Sequence, residues 1–449
     1  MPPGIHNVYI FEVFNTASWS IVLGSPMLLF LQHLNATATI FAIAATLAPF
    51  LNILQIPSAR FVERVGYRRF VLAGWISRSF VVIGMAIVAF LPDQRIDNTT
   101  RIYSIIILLF IYNTMRSISV CGMLPWFTHI VPENRRGEFL ARDQMAGAGA
   151  TVVCLFLSSL LFNVHEAWYA YGVVFSLSAV CAFISLLFLR RVPDVPVEKI
   201  DRNRRPIPWR EIFFYPPFFK YIRYNVIINL ALGGSSAFWV RYFKTFLNIS
   251  EAGILLVGAF TTIVLALMLF LVAPLIDRAG NKPVLTVSNF FFASHFGGWA
   301  LYAGGLIPHR FIMPMLCVQV CTAAFGGALW NLANVRMVMG LVPQMGRPHF
   351  LALYSVTANI TLGIGGLFWG PIMDHLAHWN IVWGFWHWNT YSLFYSTICL
   401  IILIGLCFLG NVPEPKTMTW DAFMHELLVK TPSRAVSRLI GRLRGSGPG

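Results

Sequence analysis

Twelve apolar stretches set the terms for this chain, each close to the about 20 residues that an α-helix needs to cross a bilayer. They run at roughly 8–31, 36–59, 69–91, 102–124, 145–163 and 168–189, then at 222–245, 252–275, 283–306, 311–335, 350–373 and 391–410. Inside lipid every backbone N–H and C=O must find its partner within the protein, so such stretches fold as helices. Composition agrees, since 57% of the 449 residues are hydrophobic and only 11% are charged, against about 25% charged in soluble domains. A water-soluble body could not clothe itself with so few ionic groups. Disordered, collagen-like and disulfide-framework chains are excluded as well. The cysteines (Cys121, Cys154, Cys181, Cys317, Cys321, Cys399 and Cys407) all fall within apolar segments. There they read as small packing residues, not as disulfide partners or metal ligands. The expected fold class is all-α integral membrane, with twelve transmembrane helices.

Orientation follows from the basic residues. With the N-terminus cytoplasmic, the inward segments hold 25 of the 33 Lys and Arg and the outward loops hold 4. The remaining 4, Arg78, Arg116, Arg223 and Arg241, lie well inside spans, with Arg69 and Lys244 at span edges counted to the adjoining loops. Under the positive-inside rule both termini are then cytoplasmic, in a multi-pass protein of the cytoplasmic (inner) membrane. The net charge of +15 is mostly this topology signal facing anionic headgroups, and no nucleic-acid partner is expected. The first apolar run is span-length and lacks a basic region before it, so no cleavable signal peptide is expected.

The two halves repeat. Loop 2–3 reads Glu63-Arg64-Val65-Gly66-Tyr67-Arg68, and loop 8–9 reads Asp277-Arg278-Ala279-Gly280-Asn281-Lys282, 214 residues later. Before span 5 stand Val131-Pro132, Arg136 and Phe139-Leu140-Ala141; before span 11 stand Val342-Pro343, Arg347 and Phe350-Leu351-Ala352, each 211 residues later. Two matches at nearly one offset indicate six spans duplicated in parallel. The domains expected are a six-helix bundle over 1–190, a cytoplasmic linker over 191–218, a second bundle over 219–412 and a basic amphipathic tail over 413–449.

The acidic-Arg-x-Gly-x-basic loop, echoed in the second half, resembles the signature of the major facilitator superfamily, and the resemblance covers span count, linker and repeat. The stretch Trp126 to Arg142 also resembles a group of poorly characterised bacterial members. Two positions depart: Ala59 and Ala273 stand where the motif usually opens with Gly. Span 5 carries Gly147 and Gly149 without the Gly-Pro pair of many drug/proton antiporters, which weighs against that assignment. The resemblance implies two pseudo-symmetric six-helix bundles that alternate access to one central site. It also implies a cytoplasmic gate formed by Glu63, Arg64, Gly66, Arg68, Arg136, Arg142, Asp277, Arg278, Gly280, Lys282 and Arg347. Pro348 suits the first turn of span 11, whose partial positive charge would stabilise Glu63. The plainer alternative is that these charges anchor short loops and set topology.

Ionisable groups deep in a span are costly and mark function. Glu12 is the one carboxylate lying clearly within a span, and it either carries a coupling proton or snorkels to the interface. In the resembling family spans 1, 4, 7 and 10 line the cavity, and each has a polar stripe here. The stripes are Asn15 and Trp19 with Glu12; Asn113, Arg116 and Ser117; Asn225, Asn229 and Trp239; and Trp330, Asn331 and Asn334. Amides and indoles at helical spacing suit a polar organic solute, although Asn and Ser also glue helices together. A midplane guanidinium such as Arg116 needs a partner or an anion. Arg78 is expected to bond carbonyls or a partner helix, and His295 to be packed.

The expected function is therefore a secondary transporter of a small organic solute, acting as a monomer in the lipid bilayer without a cofactor or metal. No Gly-x-x-x-x-Gly-Lys-Ser/Thr phosphate loop supplies an ATP motor. A lipid translocator or membrane receptor on the same scaffold is the alternative. An enzyme is disfavoured, because no His-Glu-x-x-His, carboxylate cluster or His/Cys cage appears. Trp379, Trp383, Trp386 and Trp388 in the last outward loop read as an interfacial belt. Trp420, Phe423, Met424, Leu427 and Leu428, then Val436, Leu439, Ile440 and Leu443 opposite Arg434, Arg438 and Arg442, read as short helices on the inner leaflet. Asn35, Asn98 and Asn248 open formal glycosylation sequons that carry little weight.

Overall fold

The computed structural model describes residues 5–91, 96–132, 135–164, 167–195, 209–342 and 347–414. The tail stripes lie outside these residues, as do residues 196–208 of the expected linker. The first half contains α1 (Ile5–Val22), α2 (Ser25–His33), α3 (Ala38–Leu51), α4 (Gln55–Val65), α5 (Tyr67–Phe90), α6 (Asn98–Val120), α7 (Met123–Ile130), α8 (Arg136–Val164) and α9 (Ala167–Leu189). After α10 (Trp209–Phe213) come α11 (Pro216–Leu232), α12 (Ser235–Thr245), α13 (Glu251–Ala279), α14 (Asn281–Ala303), α15 (Ile312–Leu341), α16 (Arg347–His375), a hairpin of β1 (Asn380–Trp383) and β2 (Trp386–Asn389), and α17 (Thr390–Gly410). Among the described residues, eleven helical segments are long and apolar enough to cross a membrane. The twelfth span is α14, equally long but carrying Asn289 and His295, and packed against α15 and α17.

Four spans are interrupted where continuous helices were expected, span 2 by a 3-10 turn at Asn52–Leu54 between α3 and α4. Span 1 breaks at Gly24 between α1 and α2, and span 7 at Gly233-Gly234 between α11 and α12. Span 4 breaks at Cys121-Gly122 between α6 and α7. Glycine lowers the cost of leaving helical geometry, and Gly234 adopts φ +75°, a value that side chains resist.

The repeat extends to backbone geometry. Gly66 has φ +89° and Gly280 φ +84°, each starting the third span of its half. The basic residue two positions on does the same task twice: Arg68 donates to the Arg190 carbonyl, and Lys282 Nζ donates to the carbonyls of Gly410 at 2.6 Å and Val412 at 3.0 Å. Each cation thereby meets the negative end of the sixth helix of its half. Two sequons acquire a structural reason in the same way. Asn35 (φ +61°) and Asn248 (φ +54°) turn the chain in left-handed conformation. The hydroxyl two residues later then caps the next helix, Thr37 accepting from Ile40 N and Ser250 from Gly253 N. Asn tolerates this backbone better than other side chains do.

Two compact units emerge from the packing. One comprises residues 1–207, 232–262 and 359–377, and the other residues 208–231, 263–358 and 378–449. The first is built on α1 against α8 and α9, and α5 against α6 and α9. Phe11, Trp75, Trp126 and Phe139 belong to its buried core. The second is built on α14 between α15 and α17. Trp383, Trp386 and Trp388 of the last loop lie in a β-hairpin, with Trp383 paired to Trp386 around Gly384 (φ +63°). A positive φ at the first turn residue suits a two-residue hairpin.

Candidate functional site

The α1 stripe at three- and four-residue spacing forms one connected polar face. Asn15 is its hub. Its Nδ2 donates to Glu12 Oε2 at 3.2 Å, while its Oδ1 accepts from Trp75 Nε1 at 3.2 Å and from Arg78 Nη2. Glu12 Oε1 also accepts from Thr16 Oγ1 at 2.6 Å, and Trp19 Nε1 donates to that hydroxyl at 3.1 Å. Gly147 of α8 approaches closely, so that a Cβ there would lie 3.6 Å from Glu12 Oε1. One turn before it, Asp143 lies within electrostatic reach of Glu12.

Opposite α1, the α5 and α6 helices supply the basic side. Arg78 is only 2% exposed, and its guanidinium carbon lies 4.3 Å from the Trp75 ring centre and 5.6 Å from that of Tyr112. Among the described residues, its Nε has no hydrogen-bond partner. Arg116 follows Tyr112 by one turn on α6; it is half-buried, and its Nη1 is buried without a partner among the described residues. Asn113 is wholly buried, donating to Leu109 O at 2.9 Å and leaving its Oδ1 free. Ser117 donates to Asn52 Oδ1 at 3.3 Å, and Asn52 Nδ2 donates to Asn359 Oδ1 at 3.2 Å.

The polar residues of the second unit are more fully engaged. The Tyr221 hydroxyl donates to Asn334, whose Nδ2 donates to the Tyr354 hydroxyl at 2.6 Å. Asn229 Nδ2 donates to Asn225 O at 2.9 Å, and Asn225 Nδ2 has no partner among the described residues. Trp330 packs against Tyr224 and Phe292, and Asn331 is exposed. His295 Nδ1 lies 3.0 Å from Gln319 O in a packed setting.

Of the expected gate residues, Arg142 pairs with Glu138 at 2.7 Å on the surface and Arg64 is exposed. The side chains of Glu63, Arg136, Asp277, Arg278 and Arg347 lie outside the described residues. A different latch is well defined within the first unit. Asp374, near the end of α16, accepts from Ala38 N at 2.6 Å, Thr39 N at 2.8 Å and Thr39 Oγ1 at 2.6 Å. Its carboxylate therefore caps the N-terminus of α3, where the helix dipole favours an anion. Nearby, Arg241 Nη1 donates to Ala36 O at 3.0 Å. Glycines let the backbones close in: a Cβ at Gly366 would lie 2.6 Å from Thr46 Cγ2, and one at Gly233 would lie 2.7 Å from Gly365 Cα.

Asp143, Asp374, Asn52, Trp75 and Tyr112 were absent from the sequence expectations. The two aspartates stood just beyond the expected ends of spans 5 and 11, because α8 and α16 run past the hydrophobic stretches. The others give no signal apart from helical phase. Among the described residues, no group of three His, Cys, Asp or Glu could hold a metal ion.

Solved structures of similar fold include several transporters. A variant of the nucleoside transporter NupG superposes with a TM-score of 0.72 at 13% identity, over 92% of this chain and 100% of that one. The D-xylose-proton symporter gives 0.69 at 15% identity, over 92% and 99%. A bacterial homologue of the iron transporter ferroportin in an inward-facing state gives 0.67 at 12% identity, over 91% and 97%. At such identities the likeness speaks for the fold alone. No curated protein matches significantly. The family model for the Major Facilitator Superfamily matches residues 8–333, well over half the chain, and with the twelve-helix fold and duplicated signature loops this chain belongs to that superfamily.

Proposed function

We propose that the chain is a secondary active transporter that moves a small organic solute across the cytoplasmic membrane by alternating access, with both termini in the cytoplasm. The observation that carries this reading is the polar cluster of Glu12, Asn15, Arg78 and Arg116 inside apolar helices. Ionisable groups at such depth are retained for function, and amides and indoles around them suit a solute of modest size. The named solutes of two fold neighbours, a nucleoside and D-xylose, belong to that size class. Glu12 is the coupling candidate, since it is the acidic group hydrogen-bonded within the cluster.

The solute contacts proposed are Arg116, Asn113, Ser117, Asn15 and Trp19, with Asn225, Asn229, Trp330, Asn331 and Asn334 from the second half. The domain scheme read from the sequence, two six-span halves joined by residues 191–218, remains the framework of this proposal. In that orientation the N-terminus of α3 faces outward, so the Asp374 latch is an outer closure. The signature loops, with Glu63 and Asp277, brace the cytoplasmic side when it is shut. Alternation requires the two sets to form in turn.

Reconstitution into liposomes tests the reading. Uptake or counterflow of a water-soluble solute is expected, and it is lost in Arg116→Ala while membrane insertion is retained. Wild-type flux in that variant would remove Arg116 from the site. A second reading, a lipid translocator, is favoured by one feature: an apolar groove of about 580 Å³ between α5 and α9, lined by Ile76, Phe80, Ile83, Val180, Phe183 and Leu187. Movement of a labelled lipid without flux of any aqueous solute would select it.

A further inference from the structure

We infer that Arg78 and Arg116 together form the seat for an anionic group, so that the transported solute is an organic anion bearing a carboxylate or phosphate. This inference rests on the transporter reading and names its substrate class.

Arginine keeps its charge in proteins, so a buried guanidinium must be compensated from outside itself. Arg78 is as buried as a core residue, yet among the described residues it forms no ion pair. Its Nη2 is held by the Asn15 amide, two aromatic rings cover its faces, and its Nε is left free. The rings favour a cation, but they cannot accept the in-plane Nε–H. Arg116 brings a second positive charge from one turn beyond Tyr112, close enough for the two guanidinium charges to repel. It too has a buried donor, Nη1, with no acceptor among the described residues. Two unfilled guanidinium donors on adjoining helices match what a carboxylate or phosphate accepts.

The surrounding charges explain how the seat survives empty. Glu12 is screened from direct contact with Arg78 by Asn15, which holds the carboxylate with Nδ2 and the guanidinium with Oδ1. Asp143 on α8 adds a second carboxyl group beyond Glu12, and α9 and α2, which also pack on α1, contribute no Asp, Glu, Lys or Arg. Glu12 is taken up by Asn15 and Thr16, which leaves the arginine donors free for an incoming anion. Asn113 Oδ1, buried and unpartnered on the face of Arg116, accepts a hydroxyl or amine hydrogen from the same solute. If Arg78 were only a fastener between α5 and α1, its Nη2 bond would suffice and Arg116 would have no reason to share its surroundings.

The test is thermal denaturation of the purified full-length protein in detergent, with matched charged and neutral probes: glucose 6-phosphate against glucose, and lactate against lactamide. Sodium chloride at equal ionic strength serves as the control. A ligand that binds only the folded state raises Tm. At least one anion is expected to raise Tm by several degrees where its neutral twin does not, and Arg78→Gln and Arg116→Gln are each expected to erase the shift. Equal shifts from the neutral twin, an anion shift that persists in both variants, or no shift from either anion would overturn the proposal. Should Arg78→Gln fail to fold, Arg116→Gln decides alone, because that side chain is only half-buried. Liposome flux keeps the two readings apart. An anion shift without flux leaves the seat standing and removes the transporter, whereas flux of a neutral solute with no anion shift does the reverse.

Discussion

Asn15 joins a carboxylate on its own helix to an indole and a guanidinium on another, so its removal disturbs three groups together. Leaving a buried donor or acceptor unmet costs about 1–3 kcal/mol. Asn15→Ala is therefore expected to lower Tm markedly in the absence of any solute, which differential scanning measures. Asn334 is the parallel case, since Asn334→Ala strips a partner from both Tyr221 and Tyr354. A loss of about 2 kcal/mol is expected there, together with weaker solute binding, as its place among the proposed solute contacts requires. The helical spacing of these amides was legible in the sequence. Their partners were not, because a stripe of phase 3.6 shows which face is polar but not which neighbouring helix meets it. Trp75 and Tyr112 show the limit plainly, since as aromatic residues in apolar spans they gave no sign that both would cover one arginine.

At the scale of the element, span positions were readable because the hydrocarbon requirement is coarse and strong, and helix ends were readable only where a breaker stands. Asp143 and Asp374 fell outside the expected spans because α8 and α16 continue beyond their apolar lengths, and polar helical ends carry no hydropathy signal. The breaks in spans 1 and 7 were equally hidden, as a glycine in a membrane helix usually just packs closely. Duplicated loops, by contrast, announced duplicated geometry. Gly66 and Gly280 share backbone angles, φ +89° with ψ 150° and φ +84° with ψ 168°, in a region nearly closed to other residues. Alanine at either site is expected to cost about 1–3 kcal/mol. The two losses should be similar and should add when combined, because the sites sit in separate halves of the sequence. A double-variant cycle by thermal denaturation checks this, and strong coupling would argue that the two loops act as one device.

For the whole molecule, the Asp374 latch has the clearest consequence. Its carboxylate, held by three donors from Ala38 and Thr39, joins parts of the chain that the proposed alternating access would separate on one face. Asparagine keeps the shape but loses the charge that favours a helix N-terminus. Asp374→Asn should thus weaken the closed arrangement by about 2 kcal/mol, equivalent to about 30-fold in the closed-to-open ratio. Cysteine labelling from the outside reads this as faster modification of a probe at Ala38. The converse experiment locks the face. Thr39 Oγ1 and Asp374 Oδ2 already lie 2.6 Å apart, so a Thr39→Cys, Asp374→Cys pair should cross-link on mild oxidation. Flux through liposomes should then stop and return on reduction, because a face that cannot open blocks the cycle however well the solute binds. Undiminished flux in the cross-linked protein would mean that this closure is permanent structure, and the outer path would have to open elsewhere.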